Sequence, residues 1–244
     1  MNALVGVASA GSGGSGRARV ERLGLGYVTF PGWHPRAAET GCPVFGFAVV
    51  HPDGVIVFDT GVGRGYSFID DLYAPTVVPV VEALAAVGLD ERDVVAVVNS
   101  HLHFDHCGQN EAFYRHGVSV FVHEAECVAV ASIEHYTVPE WASVPDARLR
   151  RVRGEEEVAE GVRIIPTPGH TPGHQSLIVD TGAGRIVIAG QCVYKLEEAR
   201  HRHVALDNMH DSTYEAIGQD SLDRLLSFRP CTLVASHDPT SCAI

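Results

Sequence analysis

The sequence is short of positive charge: 18 Lys and Arg stand against 30 Asp and Glu, giving a formal net charge of -12 with His counted neutral. Lys and Arg form no dense run anywhere, and a surplus of this sign repels phosphate backbones and anionic lipid surfaces. Nucleic acid is therefore not an expected partner. Nor is a membrane, since no apolar run approaches the roughly 18 residues that a spanning helix needs. The six cysteines include no C-x-x-C pair, which argues against both a zinc ribbon and a dense disulfide framework. Reduced core thiols in a cytoplasmic protein are the expectation. The first residues carry only a short apolar patch, Ala3 to Ala8, with no basic stretch before it, and run into Gly11-Ser12-Gly13-Gly14-Ser15-Gly16. Residues 1–19 thus read as a flexible Gly/Ser-rich tail rather than a secretion signal.

What remains is ordinary globular material. A chain of 244 residues, 45% hydrophobic and 20% charged, can bury a substantial core, and residues 20–244 are expected to form one domain. Apolar runs recur at Phe45 to Val50, Val55 to Phe58, Val94 to Val98, Val118 to Val122, Val162 to Ile165, Ser176 to Val179, Ile186 to Ala189 and Thr232 to Ala235. Several are apolar on consecutive residues, as strands covered on both faces are. Helical patterns fall between them at Val77 to Val87, near Asp105, at His123 to Ser132 and at Tyr214 to Ser227, the last with Asp211 or Ser212 as its N-cap. The reading is a layered α/β protein. Gly and Pro at Pro52-Asp53-Gly54, Gly61-Val62-Gly63, Pro168-Gly169 and Pro172-Gly173 mark loops at strand ends, where functional sites are commonly built. No fixed-period repeat occurs, although the order of elements is compatible with two similar halves.

Histidine is abundant, with 14 residues, and its densest stretch is His101-Leu102-His103-Phe104-Asp105-His106, directly after the run Val94 to Val98. Three imidazoles and a carboxylate in so short a loop suit a borderline-soft divalent ion such as zinc. Residues i and i+2 can point the same way, so His101 and His103 can grip one ion while Asp105 and His106 face a neighbouring one. A solvated His-rich turn is the competing reading. His170, in Thr167-Pro168-Gly169-His170-Thr171-Pro172-Gly173-His174, and His237, in Ser236-His237-Asp238, also stand just past strands.

Together these stretches resemble the metallo-β-lactamase superfamily, with Val57-Phe58-Asp59-Thr60-Gly61 matching its early F-D-T-G strand end. The resemblance covers roughly Pro43 to Asp238. It implies a four-layer αβ/βα sandwich of two mixed β-sheets flanked by helices, with metal at one edge. By that match His101, His103 and His170 would hold a first ion and Asp105, His106 and His237 a second, zinc in one or two copies, with iron, cobalt or manganese as alternatives. Asp59 would orient this cluster by hydrogen bonds without binding metal. Within the superfamily the N-acyl-homoserine lactonases are the most similar, on Ser100 to His106, Thr167 to Leu177, and Tyr194, a tyrosine three residues past the position of a metal-bridging group. Their likeness implies hydrolysis of an acylated lactone by metal-activated water, with Asp105 handling the proton and Tyr194 donating to the oxyanion.

One position departs from that pattern. The family's A-G-D, whose Asp bridges two metals, reads here Ala189-Gly190-Gln191. A neutral amide offers one weaker oxygen in place of two anionic ones, so the second ion is expected to bind more weakly. Three outcomes stay open: a dinuclear site with Gln191 as a weak ligand or none, a mononuclear site on His101, His103 and His170, or a metal-poor, non-catalytic binding protein. Cys192 and Cys107 read as small core residues, His201, His203 and His210 as a solvated loop, His174 as a buttress of the His170 loop, and His123 as a helix opener. Trp33 and His34 are candidates to line a pocket for an acyl chain. Hydrolysis of another ester, a thioester, a β-lactam or a phosphoester is the alternative activity. A homodimer also stays open.

Overall fold

A computed structural model describes residues 17–244, and in it the strands form two mixed sheets that divide the chain in sequence order. Sheet one contains β1 (Arg19–Thr29), β2 (Gly41–His51), β3 (Gly54–Phe58), β4 (Thr76–Val77), β5 (Val94–Val98), β6 (Ser119–His123) and β7 (Leu149–Val152) in the order β4-β1-β2-β3-β5-β6-β7. Sheet two contains β8 (Glu156–Ala159), β9 (Val162–Pro166), β10 (Gln175–Thr181), β11 (Gly184–Ile188), β12 (Cys231–Ala235) and β13 (Asp238–Ala243) in the order β13-β12-β11-β10-β9-β8. From β3 to β7 the strands of sheet one run parallel. In sheet two only β11 and β12 do.

The consecutive apolar residues have two destinations. In β3, Ile56 and Phe58 enter the core between the sheets with Val98, Ile164, Leu177, Val179, Ile188 and Val234. Val55 and Val57 point the other way, into a core under the helices of sheet one. In sheet two, Ile178, Val187 and Leu233 pack outward with Leu222 and Leu225 of the helix Glu215–Leu226. The central strands send side chains into cores on both faces, which is why alternation is largely invisible in their sequence. The result is the four-layer sandwich of two mixed sheets between helices.

Some boundaries differ from the sequence reading. Residues 1–16 of the expected tail lie outside the described residues, but Ala18 is buried and bridged to Thr181, and Arg19 opens β1. The expected helix Val77 to Val87 starts at Val80, because Thr76 and Val77 pair with Tyr27 and Gly26 at the sheet edge and Pro79 takes the N-cap. Neither Asp211 nor Ser212 caps the helix Glu215–Leu226, whose N-cap is Tyr214 without a side-chain hydrogen bond; the Asp211 side chain accepts from the Thr213 amide and caps the 3-10 turn Ser212–Tyr214 that precedes the helix. Among the described residues no helix is long and apolar enough to cross a membrane.

Ile164 is fully buried between the sheets. Ile164→Ala should cost about 2–5 kcal/mol in a denaturant titration, whereas Val95→Ala, at a position 49% exposed, should change stability by less than about 0.5 kcal/mol.

Candidate metal centre

Five strand ends meet at one edge of the sandwich. Asp59 follows β3, Ser100 to His106 follow β5, His170 follows β9, Gln191 follows β11, and His237 follows β12. The structure brings six of the sequence-selected side chains into two groups, His101, His103 and His170, and Asp105, His106 and His237, each with donor atoms within 4.8 Å of one another. In the first, His103 Nδ1 lies 3.1 Å from both His101 Nε2 and His170 Nε2. In the second, Asp105 Oδ2 lies 3.6 Å from both His106 Nε2 and His237 Nε2.

Hydrogen bonds on the far side of the rings assign which nitrogen is free. Ser100 Oγ donates to Asp59 Oδ2 at 2.7 Å, so it can only accept from His101 Nδ1, at 2.9 Å. His106 Nδ1 donates to Asp59 Oδ2 at 2.8 Å, and His237 Nδ1 to the Pro43 carbonyl at 2.9 Å. All three rings therefore turn an unprotonated Nε2 toward the cluster when neutral. Lone pairs so placed repel unless a cation lies between them, and zinc–nitrogen bonds of about 2.0–2.1 Å imply donor separations of roughly 3.3 Å at a tetrahedral ion. The observed 3.1 Å spacings fit a metal.

Asp59 organises this edge without entering it. It sits at φ 62, a left-handed backbone that aspartate adopts under constraint, and its other oxygen accepts from the Ser100 amide at 2.7 Å. Gln191 is not set aside: its Oε1 lies 3.1 Å from both His106 Nε2 and His237 Nε2. The turn that delivers it depends on Gly190, where φ is +61 and a Cβ would meet His174 Nε2 at 2.8 Å. His174 is the expected buttress, accepting from the Gln191 amide at 3.0 Å and bonded through Nδ1 to Thr167.

Tyr194 is buried and lies between His237, with ring centroids 4.9 Å apart, and the Arg36 guanidinium, 4.2 Å over its ring. His34 stacks on Phe30 at 4.1 Å, while Trp33 is 66% exposed. Cys107 and Cys192 are buried core thiols, and Cys192 is pushed up to about 12 by burial. His123 caps the helix Glu124–Ser132 through its side chain, and His201 and His203 are exposed. His210 is a correction: it is half-buried, and its amide donates to the Gly169 carbonyl at 2.8 Å, tying this loop to the one bearing His170.

Two residues escaped the sequence reading. Glu126, fully buried, hydrogen-bonds the loops on both sides of the first group; a carboxylate in an otherwise Ala/Val-rich helix was the available signal. Arg36 is ion-paired with Glu39, Glu198 and Asp207, and no local pattern announces it.

The metallo-beta-lactamase superfamily matches this chain over residues 40–237. The chain belongs to that superfamily. Membership makes it a hydrolase of the metallo-beta-lactamase type and implies a divalent metal, for which the two groups offer the donors. An N-acyl homoserine lactonase from a Bacillus sp is 33% identical over 151 residues, 57% of this chain and 59% of that protein. The chain thus spans less than two thirds of that relative's length. Another, from Bacillus cereus, is 29% identical over 186 residues, 71% of each chain. An N-acyl homoserine lactone hydrolase solved with N-hexanoyl-L-homoserine at its catalytic metal center superposes with a TM-score of 0.74 at 25% identity, covering 90% of this chain and 92% of that one.

The two groups of this metallo-beta-lactamase edge differ electrically. Burial drives His101 and His170 well below the ordinary imidazole value and His103 to about 4. Burial would lower His106 too, but Asp105 and Asp59 outweigh it and raise His106 to about 9. A raised value means that the proton is held below about pH 9 and lost above it. An ion entering the second group at neutral pH must displace that proton, and one entering the first displaces none. Calorimetric titration in buffers of different ionisation enthalpy should show about one proton released for the second group and near zero for the first, with second-group affinity falling as pH drops. Equal release from both groups would contradict this account.

Proposed function

We propose that the chain is a metal-dependent lactonase that opens the ring of N-acyl-homoserine lactones, a quorum-quenching activity. The observation that carries this reading is the adjacency of the two donor groups, with Gln191 Oε1 directed at the second. The similarity to N-acyl homoserine lactonases supports the substrate class. In this proposal His101, His103 and His170 hold one zinc ion, and Asp105, His106 and His237 hold a second with Gln191 as a neutral ligand. Bound there, the ions would lower the pKa of water to supply a nucleophile at neutral pH and would polarise the ester carbonyl.

The chain's own residues do the rest. Asp105 is held ionised, since the neighbouring His106, His237 and His103 outweigh the effect of its burial and lower its pKa; it can accept the proton of the attacking water and pass it to the leaving alkoxide. Tyr194 keeps its phenolic proton, because burial and Cys42 raise its pKa, and so remains a donor for the developing oxyanion. An aromatic path leads outward from the site. Tyr136 lies against His103 with centroids 4.8 Å apart, and the neighbouring His135 stacks at 6.2 Å on Phe68, which is 55% exposed. Such a surface suits an acyl chain. The free state of the cysteines among the described residues supports a reducing, cytoplasmic setting.

Gln191 also favours a second reading, a protein with one ion and little or no turnover. The two readings separate on metal-replete protein assayed with N-acyl-homoserine lactones beside thioesters, β-lactams and phosphoesters, with metal counted per chain. Lactone opening is expected, and Tyr194→Phe should lower kcat/KM by roughly 10²-fold. Full metal occupancy without lactone turnover would overturn the assignment. Gln191→Asp should raise occupancy of the second group, since it restores an anionic bridge; an unchanged metal count would show that Gln191 does not limit binding.

A further inference from the structure

The first donor group is assembled from both sheets. His101 and His103 follow β5 of sheet one, and His170 follows β9 of sheet two. Between the two loops lies Glu126, in the helix Glu124–Ser132, with no exposed surface. Its Oε2 accepts from the Leu102 amide at 2.9 Å and from the Tyr136 hydroxyl at 2.6 Å. Its Oε1 accepts from Thr171 Oγ1 at 2.7 Å and the Gly173 amide at 2.9 Å. Leu102 is the residue between His101 and His103, and Thr171 is the one after His170.

A buried carboxylate is expensive unless it is compensated. No Lys or Arg pairs with this one among the ion pairs of the described residues; four hydrogen-bond donors compensate it instead, two of them backbone amides. There is no slack in the arrangement, because a Cβ at Gly173 would meet the Glu126 amide nitrogen at 2.7 Å and Oε1 at 2.9 Å. Tyr136, which donates to Glu126, also packs against the His103 ring. The two loops that carry the three imidazoles, and the tyrosine packed on one of them, are thus referred to one side chain that is not itself among the donor atoms.

We propose that Glu126 is a positioning residue that sets the spacing of His101 and His103 against His170, and thereby the affinity of this group for a divalent ion. The proposal rests on the reading that the group holds a metal. Glu126→Gln keeps the size but turns one acceptor into a donor facing N–H or O–H groups.

The test is Zn2+ affinity, by competition with a chelator on the full chain. In a His237→Ala background, which isolates the first group, Glu126→Gln should weaken binding by about 10- to 100-fold. In a His170→Ala background, which disables the first group, the same substitution should leave second-group affinity within about twofold. Tyr136→Phe, which removes one donor of four, should give a smaller loss confined to the first group. Equal weakening of both groups would assign Glu126 a merely structural role and overturn the proposal, as would unchanged first-group affinity. Should Glu126→Gln fail to fold, Tyr136→Phe and Thr171→Val carry the same test, and no loss in either is the overturning result. Unsubstituted protein that binds no Zn2+ would instead defeat the metal reading on which the proposal stands, an outcome distinct from a metal-binding protein indifferent to Glu126.

Discussion

Imidazole nitrogens 3.1 Å apart repel when both present lone pairs, and a chain holds them in that state only if the surrounding structure over-determines their positions. Much of the fold at this edge answers that demand. Ser100 is fixed by Asp59 and in turn fixes His101; Glu126 fixes Leu102 and Gly173; His174 fixes the approach of Gln191. Each of these groups has no or little exposure, where hydrogen bonds to ionised partners are strong and loss of a partner is costly. The repulsion is thus opposed by the hydrogen bonding of the sandwich's edge, and an ion placed in the gap turns the same geometry from unfavourable to favourable.

The second group is built on a different electrical plan. Asp105 is the one carboxylate among its donors, with Asp59 behind His106, and the oxygen that reaches His106 and His237 belongs to an uncharged amide. With one anion fewer than a carboxylate would provide, ions held here would retain more of their positive charge. That favours stronger polarisation of a carbonyl but weaker retention of the ion itself. Affinity and electrophilicity are opposed at Gln191.

The interior strands were legible because their apolar runs are long enough and bounded by polar or turn-forming residues: β5, between Asp93 and Asn99, matches the expected Val94 to Val98 residue for residue. The elements that escaped lie where tertiary pairing outweighs local pattern. β7 and β8 are edge strands bearing Arg150, Arg151, Glu156 and Glu157, the charges that keep an edge from pairing with another chain, and they conceal strand character. In β1 a shift of register between Gly24 and Gly26 breaks the period of two. At the site the same contrast holds. The six His and Asp donors stand in short dense motifs, so they were visible. Glu126 and Arg36 act on partners far away in sequence, and neither carries a local motif. Gln191 was visible only as a departure from a family pattern; that its oxygen nonetheless faces both His106 and His237 required the fold.

The division of the sheets gives the metal edge another meaning. Sheet one is made entirely of strands from residues 19–152 and sheet two of strands from 156–243. His101, His103, Asp105 and His106 come from the first stretch; His170, Gln191 and His237 come from the second. Each donor group therefore spans the two halves of the chain, so an ion in either acts as a rivet across the seam between them. Binding would be linked to cohesion of the halves by mass action, because the ion binds the assembled state in which donors from both halves meet and not the states in which they have drifted apart. The reactive edge would thus double as the fastening of the sandwich.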